Sequence, residues 1–247
     1  MPLLLATSLP GLMVVMGVDR YRAGLLAMER LAPDVFILDD GYQHLAIERD
    51  ADLLLLDSRD PFGGGLPPRG RLREPLSALA RADAFIFTRV ERGEPTAEAL
   101  ATLERWNPSA PVFTARSRAA GLQDDKGALL EGSALSDRRF VAVCGIAQPG
   151  AFASTIASIG LRPEETLAFR DHHRYTARDF ARIHRVSERT GASWVLTTEK
   201  DAVKLSGRLS LPLVTVRLAV EIVEPGFFPF LASAIAATPR AAVPAGR

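Results

Sequence analysis

The sequence predicts a layered α/β fold built around mostly parallel strands. Two observations predict it. Short, continuous apolar runs such as Val35–Leu38, Leu53–Leu56 and Phe140–Cys144 have the pattern of strands covered on both faces. Stretches with apolar residues at helical spacing separate those runs, so strand and helix signals alternate along the chain. With 247 residues, 47% of them hydrophobic, the chain has room for one large domain or two small ones.

The elements follow in order. The opening stretch MPLLLATSLPGLMVVMG is apolar, has no basic leader, and is interrupted by Pro2, Pro10 and Gly11. It predicts a helix end, a turn and a strand over Leu12–Gly17, and not a signal peptide. DRYRAGLLAMERLA predicts a helix with Asp19 as its N-cap. DVFILDD and LLLLD predict strands, PLSALARADA a helix, AFIFTRV a strand, TAEALATLERWN a helix and PVFTA a strand. The polar, Gly- and Ser-rich segment Arg116–Asp137 predicts a hairpin or hinge between two parts. The alternation then resumes. FVAVCGI is a strand, GAFASTIASIG a helix, and ETLAFRDHH a strand running into a loop. ARDFARIHRVSERTG is a helix, SWVLTTEKDAVK a strand into a helix, and LPLVTVRLAV a strand. A terminal helix, FFPFLASAIAA, precedes a tail with the composition of a disordered segment.

Bulk properties exclude several classes of function. The net charge of +1 gives no polyelectrolyte signal for nucleic acid. The single Cys144 excludes an intramolecular disulfide and a cysteine metal cluster. No apolar run is long enough to form a membrane-spanning helix.

Three clusters carry possible chemistry. Asp39 and Asp40 close an apolar run and precede Gly41, Tyr42, Gln43 and His44. Acids at the carboxyl end of a strand in an open α/β sheet are placed to hold Mg²⁺, a hard cation that takes oxygen ligands. Two adjacent carboxylates also repel, and a cation or a nearby base would relieve this. The plainer use of such residues is as turn formers. The second cluster, PFGGGLPPRGRLREP, sets three consecutive glycines beside Arg69, Arg71 and Arg73, with Glu74 following. It suits an anion and a metal shell, or is simply a Gly/Pro loop with solvated arginines. In the third, Asp171, His172 and His173 lie ahead of a helix, and the chain has only four histidines. A His beside an Asp can act as a general base or orient one, or both histidines can be solvent-facing residues before a Thr176 cap. Lys200 and Lys204, after a strand and at a helix start, can reach phosphates or belong to a capped helix; His184, inside a helix, is read as structural.

Taken together, DDGYQHLAIERDADLLLLD, LPPRGRLREPLSALARADAFIFTR, CGIAQPGAFASTIASIG, RDHHRYT and VLTTEKDAVKL resemble the tetraacyldisaccharide 4'-kinases, in order, from Met1 to about Phe230. The resemblance implies a P-loop-kinase-like α/β/α domain and a second, smaller α/β domain joined by a β-stranded hinge. It implies ATP and Mg²⁺, a tetraacyldisaccharide lipid acceptor phosphorylated at its 4' position, and a peripheral place on the cytoplasmic face of a bacterial inner membrane. On this reading residues 1–115 are the remainder of the nucleotide-binding core and 116–138 the hinge. Residues 139–217 are the second domain, and 218–247 a return strand, a helix and the tail. Asp39 and Glu74 then belong to the metal, and Gln43, Arg73 and Lys200 to the nucleotide. Asp40, His44, Asp171 and His172 belong to catalysis, His172 as the partner of the family's catalytic aspartate.

The sequence departs from the family pattern in one respect. It contains no G-x-x-x-x-G-K-[ST] Walker A loop. Met1 falls where the family reads Gly-Asp-Glu-Pro, so the expectation is that the loop, the catalytic aspartate and a membrane-docking region lie before Met1. The chain as written is then expected to have no kinase activity and an exposed, association-prone sheet edge. The alternatives are a non-catalytic remnant that binds lipid or a partner, and a metal-dependent phosphoester hydrolase using Asp39, Asp40, Glu74 and His172.

Overall fold

A computed structural model describes residues 5–6, 9, 11–131 and 134–236. The tail expected to be disordered, and parts of the apolar start, lie outside the described residues. The chain divides into two compact units, one of Met1–Asp34 with Arg118–Ala219, the other of Val35–Ser117 with Val220–Arg247.

In the Val35–Ser117 unit, three parallel strands stand in the order β1 (Leu53–Asp57), β2 (Ala84–Thr88) and the first half of β3 (Val112–Asp124). Alternate residues of β2 face opposite sides. Phe85 and Phe87 pack with Leu56, with Leu79, and with Ala99 and Leu103 of α2 (Ala97–Trp106). Ala84 and Ile86 pack with Phe113 and with Phe227 of α6 (Phe227–Ala236) on the other face. Phe113 and Phe227 meet edge to face at 5.2 Å, the geometry that ring quadrupoles favour. Helical cover on both faces explains the unbroken apolar character of AFIFT.

The other unit repeats the plan with parallel strands in the order β8 (Leu213–Ile222), β7 (Trp194–Thr198), β5 (Phe140–Cys144) and β6 (Glu165–Ala168). Phe140, Ala142 and Cys144 pack against Phe152 and Ile156 of α3 (Pro149–Ser158). Val141 and Val143 pack against Phe180, Ile183 and Val186 of α4 (Ala177–Thr190) and Leu205 of α5 (Glu199–Leu205). Burial pushes the Cys144 thiol up to about 11, so it behaves as a small core residue. The second half of β3 forms the expected hairpin with β4 (Leu129–Leu130), absorbing part of the segment read as loop. Helix α1 (Arg20–Leu31) starts where predicted, with the Arg22 N–H donating to Asp19 at 3.0 Å.

Three predicted elements differ. Leu12–Gly17 and Val35–Leu38 are not strands, and among the described residues neither has a ladder partner. Their side chains face solvent: Met16 is 74% exposed and Ile37 86%. PLSALARADA is not an α-helix but a 3₁₀ helix, Leu76–Arg81. The buried Asn107 amide donates to the carbonyls of Leu79 and Ala82 at 3.1 and 2.7 Å, closing the end of this short helix just ahead of β2.

Candidate active site

The site residues form two clusters, one in each unit. The first is the irregular loop from Asp39 to Asp52. Three contacts hold it in shape without regular secondary structure. The Tyr42 hydroxyl donates to the Ala78 carbonyl at 2.6 Å, with the Arg81 guanidinium 4.7 Å from the ring centroid. Burial pushes that phenol up to about 12, so it stays a donor. The half-buried Arg49 grips Asp52 with two nitrogens, at 2.6 and 2.9 Å, and donates to the carbonyls of His44 and Ile47 at 2.5 and 2.9 Å. That single side chain satisfies two carbonyls no strand or helix would reach, so it ties down the segment carrying His44. The Gly41 carbonyl accepts from the His44 N–H at 2.9 Å, making the tight turn that Asp-Gly predicts.

At the tip of the loop Asp40 adopts φ +54°, in the left-handed region that costs a non-glycine residue on the order of 1 kcal/mol. Both its oxygens accept from Arg73 Nη1, at 2.7 Å each, and the same nitrogen lies 3.4 Å from Gln43 Oε1. The Gln43 amide donates to Glu74 at 3.1 Å, and both Glu74 oxygens accept from Arg81 at 2.9 and 2.8 Å. The result is one hydrogen-bonded chain, Asp40–Arg73–Gln43–Glu74–Arg81, in which the neutral Gln43 amide joins two ion pairs. Repulsion between the adjacent acids is therefore relieved by a base. Asp39 is exposed beside it.

The glycine-rich loop presents Arg73 and Glu74. Gly63, Gly64 and Gly65 all have positive φ, and a Cβ on Gly70 would strike the carbonyl oxygens of Gly65 and Gly63. The glycines thus let the loop fold onto itself, closed by Arg71 N–H to Gly63 and Leu72 N–H to Gly65 at 2.8 and 2.9 Å. Of its arginines, Arg71 pairs with Asp60 at 2.5 Å and Arg69 is exposed. Asp57, the acid that ends β1, pairs with Arg89 beyond the end of β2.

The second cluster lies beyond the carboxyl ends of β6 and β7. His172 is 72% exposed and adopts φ +55°, the same strained region as Asp40. Its Nε2 is 3.8 Å from Asp171 Oδ2. Lys200 Nζ lies 2.7 Å from Asp171 Oδ1 and 3.5 Å from His172 Nε2, and the Lys200 hydrogen bond, with the adjacent positive charge, holds the Asp171 carboxyl below its usual range. The neighbouring histidine does something else. His173 stacks on Phe169 at 4.8 Å and meets Asp179 at 3.0 Å, inside the Thr176–Asp179 capping box of α4. Of the adjacent pair, one histidine belongs to the scaffold and the other faces outward. His184 lies on α4 with its ring 3.3 Å from the Ser210 hydroxyl.

The sequence reading missed Asp201. It is fully buried, accepting from the Gly145 N–H at 2.7 Å, the Thr198 hydroxyl at 2.9 Å and Lys204 Nζ at 3.0 Å. Lys204, read as a phosphate ligand, thus faces inward to that carboxylate. The sequence signal was present: an acid three residues after a strand-ending Thr is half of a capping box.

Among the described residues no three His, Cys, Asp or Glu side chains are grouped as around a metal ion. Mg²⁺ commonly takes one or two carboxylates with phosphate oxygens and water completing its shell; Asp39 and Asp40 are exposed carboxylates of that kind, Asp40 with both oxygens on Arg73.

A model of the family described as tetraacyldisaccharide-1-P 4'-kinase matches residues 1–236. The chain belongs to that family. The tetraacyldisaccharide 4'-kinase of Pelobacter propionicus is 44% identical over 229 residues, and that of Geobacter sulfurreducens 42% over 227; each alignment covers 91% of this chain and 62% of the relative. The chain therefore spans about three-fifths of the length of these curated kinases. A crystal structure of a family member from Aquifex aeolicus, in complex with ATP, matches with a TM-score of 0.73 at 31% identity, covering 95% of this chain and 68% of that one. The α/β fold is thus the one this kinase family adopts.

Proposed function

We propose that the chain carries part of the site of an ATP-dependent kinase that phosphorylates the 4'-hydroxyl of a tetraacyldisaccharide 1-phosphate. The carrying observation is the Asp40–Arg73–Gln43–Glu74–Arg81 chain, built on family motifs and anchored by Tyr42 and Arg49. In this reading the Val35–Ser117 unit is the nucleotide-binding core and the Arg118–Ala219 segment the second domain. Mg²⁺, when bound, would be held by Asp39 and Asp40 and would offset charge on the transferring phosphate. Arg73 holds the Asp40 carboxylate, Gln43 links Asp40's partner to Glu74, and Glu74 orients Gln43 through its hold on Arg81. His44 lines the same loop. His172, exposed beside Asp171, would hold or accept a proton. The acceptor is a membrane lipid, so the enzyme works at the inner-membrane surface; no described helix is long and apolar enough to cross a membrane.

Phosphoryl transfer depends on positioning and charge stabilisation, much of it supplied in P-loop enzymes by the Walker A backbone and lysine. These 247 residues contain no such sequence. The test uses ATP, Mg²⁺ and tetraacyldisaccharide 1-phosphate, with product read by mass spectrometry. Protein taken from its own cells is expected to yield the 4'-phosphorylated lipid, and the 247-residue chain alone to yield none. No product from the cellular protein would overturn the kinase reading. Product from the 247 residues would overturn their expected inactivity.

A further inference from the structure

The TTEKD segment, Thr197–Asp201, has no settled role in the kinase reading, and its two charged residues after Glu199 point opposite ways. Asp201 turns inward. It is fully buried, and a buried carboxylate persists only where hydrogen bonds and positive charge compensate its lost hydration. Here the compensation comes from three places. The Gly145 amide lies just past the end of β5, the Thr198 hydroxyl caps α5, and Lys204 sits at that helix's last turn. Thr198 also accepts from the Asp201 N–H at 3.2 Å, so cap and carboxylate hold each other. The site admits little movement: a Cβ on Gly145 would meet Asp201 Oδ1 and the Tyr175 hydroxyl at 3.2 Å each.

Lys200 turns outward from this fixed point. Its ammonium is the strongest partner of the Asp171 carboxylate, and it also approaches His172 Nε2. His172 has little else to fix it, being mostly exposed in a strained backbone conformation. The adjacent Asp171 accepts from the His172 backbone N–H at 2.9 Å, so the carboxylate that Lys200 grips is also bonded to the strained residue.

We propose that Lys200 is a positioning residue for the Asp171–His172 pair, held in place by the buried Asp201 network, and not a ligand of the nucleotide. The chain of action runs from Asp201 to the start of α5, to Lys200, to Asp171, to the His172 backbone and ring. This rests on the kinase reading only for what His172 acts upon. The positioning itself is a property of this chain and is tested without acceptor or turnover, so its failure would leave the kinase reading standing.

The experiment follows the Asp171 carboxyl carbon and the His172 ring nitrogens by NMR across a pH series, in the 247-residue chain and three variants. Lys200→Met is expected to raise the Asp171 titration toward the ordinary carboxylate range and to shift the His172 ring signals. Its thermal midpoint should change by less than about 4 °C, since the side chain is not in the core. Lys200→Arg is expected to restore both signals. Asp201→Asn is expected to reproduce the Lys200→Met signature at a distance. An Asp171 titration and a His172 signal unchanged in Lys200→Met would overturn the proposal. A folded Asp201→Asn with wild-type signals would overturn the Asp201 part. Should Asp201→Asn fail to fold, the Met and Arg variants still decide the role of Lys200. ATP titrated into the wild-type chain supplies the last arm: direct nucleotide contacts at Lys200 would overturn the positioning role.

Discussion

Phe140–Cys144 and Val35–Leu38 are nearly interchangeable as strings, and they end in opposite states. FVAVC is a strand in which every residue is at most 1% exposed, laddered to β6 on one side and β7 on the other. VFIL forms no strand, and Phe36 and Ile37 are 48% and 86% exposed. Composition cannot separate them. What separates them is neighbours, because a strand's backbone groups are satisfied only by another strand. An apolar run permits a buried strand, and the partners on either side decide whether it forms.

The largest expected effect tests the buried side of that comparison. Phe140→Ala removes a ring packed with Phe152, Ile156 and Leu161 at a position only 1% exposed. It is expected to cost about 4 kcal/mol, by lost transfer energy and the cavity left behind. Urea unfolding followed by circular dichroism would measure it. A loss below about 1 kcal/mol would mean that FVAVC is no better packed than VFIL.

The same contrast explains how much of the molecule was legible in the sequence. The second half of the chain was read well because each strand there has its neighbours within the sequence, so periodicity and topology agree. The helix α4 was readable to its ends, from the Thr176–Asp179 cap to Gly191 in the left-handed conformation. The front of the chain is less legible, because Leu12–Gly17 and Val35–Leu38 carry strand patterns with no described partner. Of the candidate site, the residue types were legible and the pairings were not. Nothing in the spacing says that Arg73 would reach back to Asp40, or that Glu74 would be taken by Arg81. Those contacts join residues 7 and 33 positions apart through an irregular loop, where no period connects sequence to space. Asp201 is hard to single out because TTEKD reads as an ordinary capped helix start, and only the fold brings the Gly145 amide and Lys204 to its carboxylate.

A middle-sized effect separates the two adjacent histidines' surroundings. Asp179 accepts from the Thr176 N–H and hydroxyl, both at 2.7 Å, and meets His173. These bonds hold its carboxyl at about 2, with the Thr176 contacts the largest cause. Because the folded value is depressed, its contribution is complete above the ordinary carboxylate range, near pH 4, and is lost as pH falls through about 2. Asp179→Ala is expected to cost about 1 kcal/mol at neutral pH, in keeping with a helix cap partly screened by solvent. The gap between wild type and variant should narrow as pH falls from 4 toward 2, measurable by thermal melts across that window. A gap that widened on acidification would mean that the capping box does not set the carboxyl's titration.

The smallest expected effect tests the exposed side. Ile37→Ser changes a residue that is 86% exposed, makes no ladder and joins no core cluster. Replacing it removes almost no buried surface, so folding stability should move by less than about 0.5 kcal/mol. Its consequence belongs to solution behaviour. Val35, Phe36 and Ile37 form a contiguous exposed apolar run ahead of Leu38 and the Asp39–Asp40 pair, the kind of segment that drives chains to associate. The variant is therefore expected to stay monomeric to a higher concentration, as read by light scattering, with an unchanged thermal midpoint. A large stability loss would instead mean that Ile37 is buried in solution, and that VFIL and FVAVC differ less than their exposures indicate.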